Sequence, residues 1–158
     1  MLPYNLIAND YFIASVAAHN AQGDSLFSLD SLPQKVYNRP DQPYNLKNEV
    51  ILTSEKEICL SWDRPVSDGG LPINFYTVQL YSDVQLSVLT LSEKTGTEQQ
   101  KICVTGVVAR QRYYAVVKAT NDFDDSLYSL PLVVVAQAYA DKPGKPTLLE
   151  ERAITSSS

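Results

Sequence analysis

The sequence predicts an all-β sandwich of seven short antiparallel strands, and three observations carry that prediction. Apolar residues alternate with polar ones at period two, and no stretch of ten or more residues carries a helical stripe. Clusters of Gly, Pro and Asp punctuate the alternating stretches. The chain also repeats itself with a unit of about 100 residues, which sets the size of the fold.

The repeat is read by laying residues 6–30 over 107–131. Ala14/Ala115, Val16/Val117, Ala18/Ala119, Asn20/Asn121, Ser25/Ser126 and Ser28/Ser129 coincide at an offset of 101. Residues 38–54 match 141–157 at an offset of 103, with Pro40/Pro143, Pro43/Pro146, Leu46/Leu149 and Ile51/Ile154 in register. The chain therefore divides into three parts. Residues 1–37 read as the last two strands of one unit, 39–140 as a complete unit, and 141–158 as the first strand of a third.

Within the complete unit the strands are expected at 44–53, 56–62, 73–82, 85–91, 98–105, 112–121 and 126–137. In the second, Ile58, Leu60 and Trp62 share one face and Cys59 and Ser61 the other. Asp63-Arg64-Pro65 ends it. Asp68-Gly69-Gly70 forms a turn, because glycine accepts the positive φ that such turns need. Pro72 then sets the entry to the third strand, where Tyr76, Val78 and Leu80 share a face. Tyr113, Ala115, Val117 and Ala119 do so in the sixth. Seven alternating strands in about 100 residues is the pattern of an immunoglobulin-like sandwich. A unit of this size buries roughly 65% of its unfolded surface, enough for one core.

Leu60-Ser61-Trp62-x-x-Pro65, Asp68-Gly69-Gly70-x-Pro72-Ile73-x-x-Tyr76-x-Val78, and Thr105-Gly106-Val107 followed by Tyr113-x-x-x-Val117-x-Ala119-x-Asn121 together resemble a fibronectin type III module. The Asp-Gly-Gly-x-Pro-Ile turn is similar to the version found in giant muscle proteins. The resemblance implies Trp62 as the core tryptophan, Tyr76 as a further core residue, and Tyr113 as the tyrosine-corner residue with its hydroxyl bonded to backbone near Val107. In the first unit Phe12 stands at the place of Tyr113 and lacks that hydroxyl. The family's glycine after the conserved Asn is absent here, with Phe123 and Asp124 in its place.

The candidate sites are few. In this fold the strands carrying Cys59 and Cys103 are sheet neighbours, so the two residues either form a cross-strand disulfide, in an oxidising compartment, or remain two thiols in a reducing one. Phe75, Tyr81, Tyr114 and Val116 are expected to point outward from adjacent strands, as a partner surface or as ordinary surface. His19 reads as a strand-end residue, with no nucleophile and carboxylate placed around it. Asp122, Asp124 and Asp125 lack the spacing of a Ca²⁺ loop and read as a solvated loop.

Eighteen acidic against thirteen basic residues give a net charge of −5, and no basic cluster exists, which argues against nucleic acid. One His and no Cys-x-x-Cys leave no zinc pattern, and no cofactor motif occurs. No apolar run reaches membrane-spanning length, and no leader stands at the start. Extracellular and cytoskeletal settings both fit. The functional expectation is a non-enzymatic structural spacer and protein–protein interaction module of a larger multi-repeat protein, its partners being other proteins and the adjacent modules. The alternative is an accessory stalk of a larger enzyme or cell-surface receptor.

Overall fold

A computed structural model describes residues 5–96 and 99–137. The expected strand at 141–158 lies outside these residues. Eleven strands and no helix occur among the described residues. Strands β1 (Tyr11–Phe12), β2 (His19–Asn20), β3 (Gly23–Asp24) and β4 (Gln34–Lys35) belong to the first segment. The sandwich is built from β5 (Tyr44–Asn48), β6 (Glu57–Asp63), β7 (Phe75–Tyr81), β8 (Leu89–Lys94), β9 (Lys101–Thr105), β10 (Arg112–Thr120) and β11 (Leu132–Val135). All seven expected strands of the central unit are present, in two sheets. One has the order β5-β6-β9 and the other β11-β10-β7-β8, all pairs antiparallel.

The core lies between the sheets, filled by the inward period-two positions. Ile58, Leu60 and Trp62 from β6 meet Tyr76, Val78 and Leu80 from β7 and Tyr113, Ala115, Val117 and Ala119 from β10. The Trp62 and Tyr76 rings pack with centroids 5.4 Å apart and planes tilted by 60°, a geometry aromatic quadrupoles favour. Tyr113 is fully buried, and its hydroxyl accepts a hydrogen bond from the Val108 N–H at 2.9 Å. That bond ties the β9–β10 connection to the core.

Several strand boundaries differ from the sequence expectation, and three of these shifts have a clear local reason. The first strand stops at Asn48, not 53, because Leu52 and Thr53 both donate backbone bonds to the Glu49 carbonyl in a turn. The fourth begins at Leu89, not 85. There the Asp83 carboxylate accepts bonds from the Ser87 and Val88 backbone and holds 83–88 as a loop.

The last strand has regular pairing only over Leu132–Val135. Before it, Ser126 and Ser129 bond β10 through both backbone and side chain. Each backbone N–H donates to the carbonyl of Ala119 or Val117, and each hydroxyl accepts the matching N–H. The serines recur every third residue while their β10 partners recur every second. An ordinary ladder would advance equally on both sides. The first segment repeats the device: Ser25, Ser28 and Ser31 bond Ala18, Val16 and Ala14 in the same way. Residues 11–36 thus form a long hairpin whose apolar side chains stay open, with Leu26 and Leu29 more than nine-tenths exposed.

Candidate interaction surfaces

The hairpin meets the sandwich at the Asp68-Gly69-Gly70 turn. The Asn38 N–H donates to the Gly69 carbonyl at 2.8 Å. The buried Asn121 amide donates to the carbonyls of Asn38 and Asp68 at 2.9 and 2.7 Å. Its own oxygen accepts from the Phe123 and Asp124 N–H groups, so its bonding capacity is used on both sides. Gly69 has φ +77°, and a Cβ there would lie 2.0 Å from the Asn38 carbonyl oxygen. Asp41 and Ser67 exchange two further bonds, Lys35 reaches the Gly70 carbonyl, and Pro40 and Pro43 are buried. The glycine in this turn therefore does more than permit a positive φ: it clears the seat on which the connecting segment lies.

The outer face of the four-stranded sheet holds the four aromatic and apolar positions marked in the sequence. Tyr114 lies opposite Tyr81, Val116 opposite Gln79 and Thr120 opposite Phe75, so the four share one face. The face is more closed than expected. Val116 is fully buried, Tyr81 is buried, and Phe75 and Tyr114 are half-buried. The reason is Tyr128, whose hydroxyl crosses β10 to donate to Gln79 Oε1 at 2.6 Å. Tyr81 donates to the same oxygen at 2.9 Å. Burial, then the neighbouring Tyr128 hydroxyl, pushes the Tyr81 phenol up. The Lys118 ammonium lies over the Tyr128 ring and pairs with Asp125, and the Lys94 ammonium lies 4.4 Å from the Phe75 ring centre. What remains accessible is a narrower aromatic surface at Phe75 and Tyr114, edged by lysines. The sequence signal for this cover was the Tyr in Ser126-x-Tyr128-Ser129, two positions after one bonding serine and one before the other.

On the outer face of the three-stranded sheet, Cys59 and Cys103 sit opposite each other and are joined by a disulfide. The Cys59 N–H donates to Thr53 Oγ1 and its carbonyl accepts from Glu49. Both groups thus point away from β9, which makes the cysteines a non-hydrogen-bonded pair, the closer of the two antiparallel pairings. Cys103 is exposed, but Cys59 is fully buried beneath the Glu49–Thr53 turn, although it faces away from the core.

The remaining candidates have local partners. His19 Nδ1 lies 2.5 Å from Asp24 Oδ1, and both side chains are exposed at a hairpin end. Asp122 accepts from Asn74, and Asp125 accepts from Thr120 and pairs with Lys118. These bonds hold the Asp125 carboxyl below the usual range, Lys118 being the main cause. The acidic residues of this loop are therefore engaged in holding β7, β10 and the following turn together. Between the connecting segment and the sandwich, an open groove of about 550 Å³ is lined by Pro40, Tyr44, Val66 and Leu127 among others.

No protein-family model matches the chain. It is similar to cattle pikachurin, with 27% identity over 82% of this chain and 13% of that protein. It is also similar to chicken protein sidekick-1, with 31% identity over 70% of this chain and 5% of that protein. The chain thus spans a small fraction of the relatives it matches. Among solved structures, titin domains A168–A170 superpose with a TM-score of 0.55 at 23% identity, covering 80% of this chain and 40% of that one. The FN1–FN3 domains of chicken CNTN1 give a TM-score of 0.54 at 15% identity, covering 84% and 44%. At these identities the structural likeness speaks for the fold.

Proposed function

The chain belongs to the fibronectin type III repeat proteins, and from this premise we propose that it serves as a non-catalytic spacer and protein-interaction module within a larger multi-repeat protein. Its units are residues 39–140 as a complete module, 1–37 as the last two strands of the preceding one, and 141–158 as the first strand of the next. The hairpin's open apolar side chains support this division, since an isolated two-stranded ribbon is marginal in water and has no core of its own.

The observation that carries the spacer reading is the seated connection. Asn38 is held by Gly69 and Asn121, so the segment between two units is part of the sandwich surface and not a loose tether. A spacer must transmit orientation, and a hydrogen-bonded joint does so. The test is backbone ¹⁵N relaxation on the whole chain. The spacer reading expects order parameters near about 0.85 for residues 36–41, equal to those of β6 and β10. Values below about 0.6 there would refute it.

The interaction role rests on the outer face of the four-stranded sheet, with Phe75 and Tyr114 as contact residues and Tyr81 and Val116 as the support beneath them. Other proteins are the partner class, consistent with the enrichment of Tyr at binding hot spots. Replacing Phe75 and Tyr114 by Ser should remove binding of such partners without unfolding the module.

A further inference from the structure

We propose that, once the Cys59–Cys103 disulfide is reduced, Glu57, Cys59 and Cys103 form a binding site for a thiophilic divalent metal ion such as Zn²⁺. Three observations meet at this place. Glu57 and Cys59 are alternate residues of β6 and share its outer face, while Cys103 stands directly across on β9. The carboxylate oxygen and the two sulfurs all lie within 4.8 Å of one another. The backbone around Cys59 is pinned by Thr53 and Glu49, independently of the sulfur.

The chemistry suits zinc. Zn²⁺ takes Cys sulfur at about 2.3 Å and carboxylate oxygen at about 2.0–2.2 Å, and accepts three protein ligands with water in the fourth position. Two ligands on one strand face and a third from its neighbour converge on one side of the sheet. Cys103 is exposed and Glu57 half-buried, so solvent reaches the fourth position. Two thiolates and a carboxylate carry three negative charges, which a divalent cation offsets to one. Soft sulfur ligands disfavour Mg²⁺ and Ca²⁺.

The disulfide and the metal use the same sulfurs and exclude each other. A dithiol reductant passes two electrons and two protons to the S–S bond, leaving two thiols, and closes its own sulfurs as a disulfide. Metal binding then releases both thiol protons to the buffer as two metal–sulfur bonds and one metal–oxygen bond form. The same pair thus staples the sheet when oxidised and holds a cation when reduced.

The test compares the whole chain oxidised and reduced with a phosphine, which is converted to its oxide and is then removed. Each form is titrated with Co²⁺, and Zn²⁺ is used to displace it. The expected result is one Co²⁺ per reduced chain, with thiolate-to-cobalt charge-transfer absorption that Zn²⁺ abolishes, and no such absorption in the oxidised chain. Cys103→Ser should remove the absorption, and Glu57→Gln should weaken binding about tenfold or more. Near-ultraviolet circular dichroism of Trp62 reports folding throughout. A reduced chain that takes up no Co²⁺ overturns the proposal, whether it stays folded or fails to refold when Zn²⁺ is added. So does equal binding by the oxidised chain or by Cys103→Ser.

Discussion

Gly69 shows how a single hydrogen in place of a side chain can decide a junction. Gly69→Ala should cost about 1–3 kcal/mol from the positive φ alone, and the Cβ must also displace Asn38. Chemical denaturation measures the loss, and the amide signal of Asn38 should shift with it. Asn121→Ala leaves the Asn38 and Asp68 carbonyls without their shared donor and the Phe123 and Asp124 N–H groups without their acceptor. An unmet buried bond costs about 1–3 kcal/mol, so the variant should lower the denaturation midpoint and loosen residues 36–41 together. The sequence marked both residues, Gly69 as a turn former and Asn121 as a repeat match. It could not show that they hold the same residue, Gly69 taking the Asn38 N–H and Asn121 its carbonyl, because Asn38 and Asn121 are 83 positions apart and no local pattern links them.

At the scale of elements, the inward faces of β6, β7 and β10 were fully legible, because period-two alternation is a property of the strand itself. The edges were not. Asp83 shifted a strand start by capping a loop, and the Glu49 turn shortened another strand. Both are side-chain or turn bonds that compete with the ladder. The serine pairing was half visible: Ser25, Ser28 and Ser31 recur at three, which disagrees with a regular strand. Ser129→Ala should leave the buried Val117 N–H without its hydroxyl acceptor, destabilise the module by about 1–3 kcal/mol, and speed hydrogen exchange at Val117 first. A milder effect belongs to the Asp125 pair with Lys118. Its folded carboxyl is held low, so the stability it adds is present above the ordinary carboxylate range and is lost as pH falls through the folded value. The pair is partly exposed, so screening limits its worth to roughly 0.2–1 kcal/mol. Asp125→Asn should therefore lower the denaturation midpoint slightly at neutral pH, leave it unchanged at the acid end, and so flatten the acid limb of the stability–pH curve.

For the whole molecule, length and repeat period gave the size of the sandwich, while its outer surfaces needed coordinates. The Tyr128 cover over Val116 depends on the path of residues 126–131, which follows from the serine bonds and not from alternation. The sulfur bridge is a different matter. It joins positions 44 apart along the chain and encloses all of β7 and β8. If the two ends of the molecule are drawn apart, tension passes from β6 to β9 through the sulfurs, and the enclosed stretch never bears load. Pulled out in an optical trap, the oxidised sandwich should pay out less chain than the reduced one by about 150 Å, since each residue contributes about 3.3–3.6 Å when taut. The bridge therefore sets how far such a tether yields before its length is spent.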